Sequence, residues 1–218
     1  MSPIKPKWQM SEEDIKLHYI TPAITAKWGL DRITMETKIT DGRINLRGNL
    51  VAREKPKRAD YILYINANNP IAVVEAKDNN HTVSHGLQQA MEYAQMLDVP
   101  FAYSSNGDGF CEHDFLTGQE RQLALDEFPS PETLIARFKC GANEGSGLSD
   151  AEQAMIRQPY YSGMNVYPPR YYQRIAINRT LDAIARGQNR ILLVTETSLH
   201  PVTLLTTRLS RKKWYDKV

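Results

Sequence analysis

An apolar run that ends in two opposite charges is the most distinctive pattern along this chain. Residues 58–65 read Arg-Ala-Asp-Tyr-Ile-Leu-Tyr-Ile, and residues 70–77 read Pro-Ile-Ala-Val-Val-Glu-Ala-Lys. The pattern predicts two strands joined by residues 66–69, the second of them buried on both faces. Side chains two positions apart lie on one face of a strand, roughly 6–7 Å apart, so Glu75 and Lys77 are expected side by side.

Asp60 opens the first strand of this pair. If the strands are antiparallel and the numbers of opposed residues sum to an odd number, Asp60 lies on the same face as Glu75 and Lys77. Two carboxylates and an ammonium then converge at the end of a buried sheet. Charge at such a place is costly unless it is paired or holds a metal ion.

The N-terminal region predicts a helix followed by a hairpin. Helical spacing of apolar residues runs over 11–29, with a kink or restart at Pro22. Residues 33–39 alternate apolar and polar side chains, as a half-buried strand does. Asp41-Gly42 is a tight-turn signal, so residues 43–48 are predicted to be the return strand.

The region after residue 80 adds helices to the predicted sheet. Residues 83–97 form an amphipathic helix by spacing, followed by short apolar strands over 100–104 and 110–115. A helix between two strands suggests that one strand pair is parallel through a crossover. A helix over 131–140 then closes an α/β domain.

A segment rich in Gly and Ser divides the chain. We therefore predict a core domain over 1–140, a linker over 141–158 and a second region over 159–218. Within that second region, residues 171–186 read as a helix and residues 190–195 as a strand.

Composition narrows the class of protein. The chain has 218 residues, 41% hydrophobic and 24% charged, which is typical of a globular protein. A net charge of +2 says little about partners, and no apolar run approaches about 18 residues. Cys111 and Cys140 match no metal-binding spacing, so free thiols of a reducing, cytoplasmic compartment are expected.

Metal-dependent cleavage of a phosphodiester needs acidic oxygens for divalent cations, a cation that orients water and offsets charge, and a basic surface for DNA. Asp60, Glu75 and the carbonyl of Ala76 are candidates for the first role, and Lys77 for the second. The third falls to a basic segment whose members are Arg43, Arg47, Arg53, Lys55, Lys57 and Arg58.

Plainer interpretations stand beside each of these. Glu75 and Lys77 could form an ordinary surface ion pair, and the spacing alone favours that interpretation. The apolar run before them and the matching Asp60 make a metal site about equally well supported. The basic segment could be a solvated hairpin.

Two further side-chain pairs lie four residues apart on the next helix or its start. Gln89 and Tyr93 share a face that could look back at the strand end, although for the pair taken alone a polar helix flank is the better explanation. His81 and His85 could chelate a soft metal, but no cysteine or third histidine is nearby, so two solvent-facing histidines are expected.

Taken together, these motifs resemble a known family. The matching segments are 57–61, 70–78, 86–94 and 99–107. They closely resemble the N-terminal nuclease domain of the restriction (R) subunit of type I restriction–modification enzymes. The similarity runs from about residue 11 to residue 173 and beyond.

The resemblance implies a nuclease of the PD-(D/E)xK class, with a mixed central sheet flanked by helices. The catalytic Asp, Glu and Lys of the class match Asp60, Glu75 and Lys77. The family's Gln-x-x-x-Tyr motif matches Gln89 and Tyr93, which would steady the strand end or contact DNA.

The resemblance continues into the start of an ATP-driven translocase and then stops. Gln173 matches a glutamine that reads adenine in the family, and residues 190–195 look like the strand before a phosphate loop. The expected Gly-x-Gly-Lys-Thr is absent, and residues 196–201 read Glu-Thr-Ser-Leu-His-Pro instead. No glycine follows Gly187, so a phosphate-cradling loop of this kind is missing. A frameshift, a truncation or an artefact would explain the change, and the second region is then a truncated helicase-like domain.

The function implied is that of a type I site-specific deoxyribonuclease acting on foreign double-stranded DNA with Mg²⁺, for which Mn²⁺ can substitute. ATP would serve only the intact, full-length family member, and modification and specificity subunits would be partners. Two alternatives stay open: a non-catalytic DNA-binding or assembly module left by a truncated gene, and a nuclease resembling resolvases or repair enzymes.

Overall fold

A computed structural model describes most of the first two thirds of the chain and a smaller part of the remainder. The described residues are 5–39, 44–47, 50–53, 56–66, 69–140, 171–185, 188, 190–193 and 205–208. Contacts divide the chain into two compact units, Met1–Gly147 and Leu148–Val218. The boundary falls inside the segment predicted to be a linker, while the identity of the second unit stays a prediction.

The first unit is built on a mixed sheet of six strands in the order β1-β4-β5-β6-β7-β8. Only β5 and β6 are parallel within it, and α3 joins them, as the crossover prediction required. The fold class is therefore confirmed as a mixed sheet flanked by helices. The strands of this sheet are β1 (Ile33–Lys38), β4 (Arg58–Asn66), β5 (Asn69–Ala76), β6 (Phe101–Ser105), β7 (Gly109–Asp114) and β8 (Gln119–Ala124).

The helix predicted over 11–29 is three helical segments in succession: α1 (Glu12–Ile15), a π-helical turn (Lys16–Ile20) and α2 (Thr21–Thr25). Ser11 begins α1 with a reciprocal capping box to Asp14. Pro22 lies in the first turn of α2, where its missing N–H is tolerated, and the wider turn precedes it directly.

The other helices of the first unit lie close to their predicted bounds. They are α3 (Leu87–Leu97) and α4 (Pro131–Cys140), with short 3₁₀ turns at Lys7–Gln9, Leu30–Arg32 and Leu125–Glu127. Ser130 begins α4 by accepting a hydrogen bond from the backbone N–H of Thr133 at 3.3 Å.

Both faces of the central strands are covered, which is why β4, β5 and β6 are mostly apolar. One face carries Tyr61, Val74 and Tyr103 and packs in a single core with residues of α1 to α2 and with Phe128. The opposite face carries the fully buried Ile62 and Val73 and lies under α3. A charge at the end of these strands therefore borders a core on either side.

The predicted return strand over 43–48 exists, but its predicted pairing is wrong. β2 (Ile44–Arg47) pairs with β3 (Leu50–Arg53) in a separate two-stranded sheet, and β1 pairs with β4 instead. β4 is apolar on both faces, so an edge left open beside it would be unfavourable, and β1 covers that edge. Residues 40–43, with the predicted turn, lie outside the described part.

The second unit contains α5 (Tyr171–Ala185) and β9 (Arg190–Leu193), close to the predicted helix and strand. β9 pairs antiparallel with β10 (Leu205–Arg208), which the sequence pattern did not predict. Among the described residues of the chain, no helix is both long enough and apolar enough to span a membrane.

Candidate functional site

The register of β4 and β5 brings the two predicted carboxylates together. Tyr61 opposes Val74 and Ile62 opposes Val73, so Asp60 lies opposite Glu75. The backbone N–H of Asp60 donates to Glu75 Oε1 at 3.3 Å, and the backbone N–H of Ala76 donates to Asp60 Oδ2 at 2.8 Å. Backbone groups of each strand thus fix the carboxylate of the other, and the predicted odd-sum register is correct.

Lys77 completes the arrangement directly after β5 ends. Its backbone N–H continues the parallel ladder by donating to the carbonyl of Ser105 at 2.8 Å. Its Nζ lies 3.9 Å from Glu75 Oε2. We refer to Asp60, Glu75 and Lys77 as the strand-end cluster.

Burial governs the electrostatics of the strand-end cluster. Glu75 is 1% exposed and Asp60 is 9% exposed. Burial, followed by the neighbouring Asp60 carboxylate, raises the pKa of Glu75 well above its usual range, against a smaller lowering by Lys77. Ionising Glu75 is therefore unfavourable in the folded chain, because Lys77 compensates only part of the cost of burial.

A second ammonium, which the sequence analysis missed, contacts the same aspartate. Lys16 is 2% exposed, and its Nζ lies 2.6 Å from Asp60 Oδ1 and 2.8 Å from Glu36 Oε1. The carboxylates of Glu13 and Glu12 are 3.1 Å and 3.5 Å away. Lys16 is four and eight residues before two buried isoleucines of the same helical stretch. A lysine on an apolar stripe is the signal that could have found it.

Helix α3 begins against the strand-end cluster. A Cβ built on Gly86 would lie 3.4 Å from Glu75 Cβ and 3.5 Å from Lys77 Cε, so the backbone at the start of α3 lies close to both side chains. Sequence reasoning gave Gly86 no role of its own, although the matching segment 86–94 begins with it.

Gln89 and Tyr93 lie on the part of α3 that faces the cluster. Gln89 Nε2 donates to the Tyr93 hydroxyl at 3.1 Å, and Tyr93 is buried, so this face is more than a polar flank. Burial raises the pKa of Tyr93, and the Glu75 carboxylate adds to the rise. The Lys57 ammonium lies 5.8 Å from the centre of the Tyr93 ring and 3.2 Å from Glu92 Oε2.

The oxygen donors of the strand-end cluster suit a hard divalent cation. Two carboxylates and the neighbouring Ala76 carbonyl are oxygen donors of the kind that Mg²⁺ prefers. A cation between the carboxylates would offset both causes of the raised pKa of Glu75, which are burial and the Asp60 carboxylate. Within the described ranges, no group of three or more His, Cys, Asp or Glu side chains is arranged to hold a metal ion. A metal at this place would therefore depend on the backbone carbonyl and on water for its other ligands.

Most of the predicted DNA-binding residues are outside the part with described side chains. Of these, Arg47 and Arg53 lie in β2 and β3, while Arg43 and Lys55 fall in undescribed positions. Arg58 is exposed at the start of β4, and Lys57 directly precedes it. The basic segment as a DNA surface stays a prediction.

The remaining candidate residues are Gln173, His81, His85 and Cys111. Gln173 is exposed in the first turn of α5, and its match to an adenine-reading residue stays a prediction. The exposed rings of His81 and His85 lie 4.2 Å apart, and His81 Nδ1 is 2.9 Å from Asp78 Oδ1. Cys111 is a buried free thiol.

The chain is similar to known proteins in both sequence and fold. Residues 24–129 match the family model of the type I restriction enzyme R protein N terminus. The chain is 42% identical over 194 residues to the endonuclease subunit of the type I restriction enzyme EcoAI from Escherichia coli. That match covers 86% of this chain and 24% of the relative. The corresponding EcoKI subunit from Escherichia coli strain K12 is 27% identical over 187 residues, covering 64% of this chain and 15% of that protein.

A solved structure shares the fold. It is a fragment from Vibrio vulnificus YJ016 described as an HsdR subunit of a type I restriction enzyme, with a TM-score of 0.71 and 40% identity. The match covers 83% of this chain and 34% of the other. This chain spans about a quarter or less of the length of the curated relatives. The chain contains the N-terminal region of a type I restriction enzyme R subunit.

Proposed function

We propose that this chain is a Mg²⁺-dependent DNA endonuclease region, and that the strand-end cluster is its catalytic site. One observation carries the proposal. Two carboxylates and an ammonium from separate positions in the sequence converge at the end of a buried strand, inside the residues that match the R-protein family. Burying three charges in one place is costly, and a functional site is where proteins accept that cost.

Each member of the cluster has a distinct role in the proposal. Asp60 and Glu75, with the carbonyl of Ala76, hold the metal ion. Bound there, Mg²⁺ polarises the scissile phosphate and lowers the pKa of the attacking water. Lys77 orients that water and offsets the negative charge that develops on the phosphate.

The residues around the cluster position it and the DNA. Gln89 and Tyr93 hold the start of α3 beside Glu75 through their mutual hydrogen bond. Lys57 and Arg58, with the other members of the basic segment, contact the DNA backbone as point charges. None of these contacts reads sequence, which agrees with a subunit that leaves target recognition to another chain.

The wider assignment follows the relatives. We propose double-stranded foreign DNA as substrate, Mg²⁺ or Mn²⁺ as cofactor, and modification and specificity subunits as partners. Without the phosphate-loop pattern after residue 195, ATP hydrolysis is not expected from this chain alone. Cytoplasmic location stays a prediction.

Metal binding and DNA nicking measured on the same variants test the proposal. We expect the 218-residue chain to bind Mn²⁺ in a calorimetric titration and to nick supercoiled plasmid in Mg²⁺ or Mn²⁺. Asp60→Ala is expected to abolish both properties. Lys77→Ala is expected to retain Mn²⁺ binding and lose nicking, because the ammonium acts on water and phosphate and does not hold the metal.

The matched control is Lys27→Ala, which removes a lysine whose Nζ contacts the carbonyl of Asp126 away from the cluster. Its nicking rate should equal that of the unmodified chain. Plasmid binding without any nicking at saturating Mn²⁺ would contradict the proposal and favour a non-catalytic DNA-binding module. A preference for branched over linear DNA would favour a nuclease of the resolvase type.

A further inference from the structure

We propose that Lys16 is a positioning residue whose ammonium takes the place of a second divalent cation, so that the strand-end cluster holds a single metal ion. The inference rests on the proposed function, because it concerns how many ions Asp60 and Glu75 hold. It assigns a role to a residue outside the nuclease motif.

Lys16 has the surroundings of a bound cation. Its Nζ lies within 4 Å of four carboxylates, at 2.6 Å from Asp60, 2.8 Å from Glu36, 3.1 Å from Glu13 and 3.5 Å from Glu12. Its side chain is 3% exposed. Burying an ammonium is tolerated where several oxygens surround it, and a hard metal ion is likewise bound through oxygen atoms.

The backbone is distorted at both ends of this contact. Glu36 has φ of 49°, in the left-handed region, although it lies within β1. It sits between Met35, opposite Tyr61, and Thr37, opposite Ala59, and is thus across from Asp60. A glutamate strained in this way persists only if its contacts compensate, and the described contact of its carboxylate is Lys16.

The helical side is also irregular. Lys16 opens the π-helical turn that separates α1 from α2. Such turns are rare, and they occur frequently at functional sites. Here the residue that the turn introduces into the apolar stripe is the lysine that reaches Asp60.

The count of free oxygens favours one metal ion. Asp60 Oδ1 is engaged by Lys16 and Asp60 Oδ2 by the N–H of Ala76, while Glu75 Oε1 accepts the N–H of Asp60. A pair of divalent ions about 3.5–4 Å apart needs further carboxylates to bridge and flank them. The acids nearest to Asp60 that could do so already share the Lys16 ammonium.

The protonation state of Lys16 agrees with this role. Burial alone would lower the pKa of Lys16, but hydrogen bonds to Asp60 and Glu36 outweigh burial and raise it. The side chain therefore stays a cation wherever DNA cleavage would be assayed.

Mn²⁺ titration of the full 218-residue chain tests the inference directly. The unmodified chain should bind one Mn²⁺. Lys16→Met keeps the length and apolar stem of the side chain but removes the charge, so it should bind a second Mn²⁺ or bind the first at least about tenfold more tightly. Tenfold is the lower end of what one unit charge within about 4–6 Å does to a carboxylate.

Thermal unfolding supplies a readout independent of cleavage. Lys16→Met should lower Tm in EDTA, and Mn²⁺ should restore most of that loss, whereas KCl of equal ionic strength should not. The charge-balanced variant Lys16→Met with Glu36→Gln should lose less Tm in EDTA, because one acid leaves with the ammonium. It should still bind Mn²⁺ more tightly than the unmodified chain.

Unchanged Mn²⁺ stoichiometry and affinity in both variants would overturn the inference. So would a Lys16→Met chain that stays unfolded in saturating Mn²⁺, because a metal could then not replace the ammonium. If the variants behave this way while the unmodified chain binds Mn²⁺ and nicks DNA, only the role of Lys16 is wrong. If the unmodified chain binds no Mn²⁺, the proposed nuclease site fails, and the single-ion inference that rests on it fails as well, even if Lys16→Met binds Mn²⁺.

Discussion

Two glutamates on opposite faces of the same sheet are buried equally and behave in opposite ways. Glu75 and Glu112 are each 1% exposed. Glu112 accepts from two charged donors, Arg121 Nε at 2.7 Å and Arg137 Nη2 at 2.8 Å, and from the neutral Tyr103 hydroxyl at 2.5 Å. Burial would raise the pKa of Glu112, but hydrogen bonds from the two arginines outweigh burial and lower it.

Glu75 has weaker compensation. Its described contacts are a backbone N–H at 3.3 Å and the Lys77 ammonium at 3.9 Å, and its pKa moves up. The comparison teaches that burial of a carboxylate does not itself mark a site. A carboxylate fully satisfied by the protein, as in the arginine cluster (Glu112, Asp114, Arg121 and Arg137), is structural, whereas one left under-neutralised is suited to bind something else.

The sharpest test of this contrast compares one aspartate from each cluster. Asp60→Asn should lower the plasmid nicking rate by at least about 100-fold, because a metal ligand is lost. Asp114→Asn alters the contact of Arg137 with Asp114, which is 2.7 Å long. At a temperature where both variants are folded, its nicking rate should stay within about twofold of the unmodified chain, because Asp114 is not part of the strand-end cluster. Equal losses in a nicking time course would erase the distinction.

For stability, in contrast to nicking, the large effect is expected in the arginine cluster. Glu112→Ala leaves two arginines without their shared carboxylate and should cost about 3–5 kcal/mol in the free energy of unfolding, measured by urea denaturation. Glu120→Ala breaks only the exposed contact with His113 and should change stability by less than about 1 kcal/mol. If the two variants were equally stable, the structural role of the arginine cluster would be refuted.

Glu75→Gln should stabilise the metal-free chain. The pKa of Glu75 rises from 4.5 to about 9 on folding, so ionising it opposes folding, and stability is lost as pH rises between those values. The amide cannot ionise but its oxygen still accepts the N–H of Asp60. We expect a gain on the order of 1 kcal/mol at pH 8 and a flatter stability profile from pH 5 to 9. A Tm at pH 8 in EDTA that is no higher than that of the unmodified chain would contradict this.

Low pH should remove the stabilising contribution of Glu112. Since folding lowers the pKa of Glu112 below its ordinary 4.5, its contribution is complete above that value and is lost as pH falls through the folded pKa. In Glu112→Gln, therefore, the slope of stability against pH below about 4.5 should be shallower than in the unmodified chain. Fluorescence-monitored urea titrations at several acid pH values measure it, and identical slopes would assign the acid sensitivity to other carboxylates.

The smallest effect is expected at the edge of the strand-end cluster. If Lys57 contacts one DNA phosphate, Lys57→Ala should reduce the slope of log affinity against log salt by about 1 and weaken binding to all sequences alike. Lys27→Ala, the matched lysine away from the cluster, should leave the slope unchanged. Equal slopes for the two variants in a salt series of binding isotherms would remove Lys57 from the DNA surface.

The strand pair could be predicted from sequence because its signal is local and strong. A run of β-branched residues buried on both faces has one sensible structure, and alternation then fixes which side chains share a face. Helix α3 and the parallel crossover followed from equally regular spacing. The predicted strand pairing was wrong. β1 pairs with β4 and not with β2, because β1 covers an edge of β4 that would otherwise be open.

Residues whose role comes from tertiary contacts could not be found in this way. β8 was missed because its residues are mostly exposed and do not alternate. Lys16 lies on an apolar stripe, which is a visible signal, but nothing in the sequence pairs it with Glu36 or Asp60. Their contact in the fold involves a π-helical turn that begins at Lys16 and a positive φ at Glu36.

The N-terminal segment has a consequence for how the domain folds. Trp28 donates its indole N–H to the carbonyl of Pro129 at 2.8 Å, and the Lys7 ammonium contacts the carbonyl of Gly107 at 2.7 Å. Contacts across about a hundred residues close the largest loops of the domain, so they form late and slow the folding rate. During synthesis, helices α1 and α2 therefore leave the ribosome well before their partners. The side chains of Ile15, Ile20 and Trp28 stay exposed to solvent until those partners are made. A nascent chain stalled before residue 129 should be a substrate for chaperones.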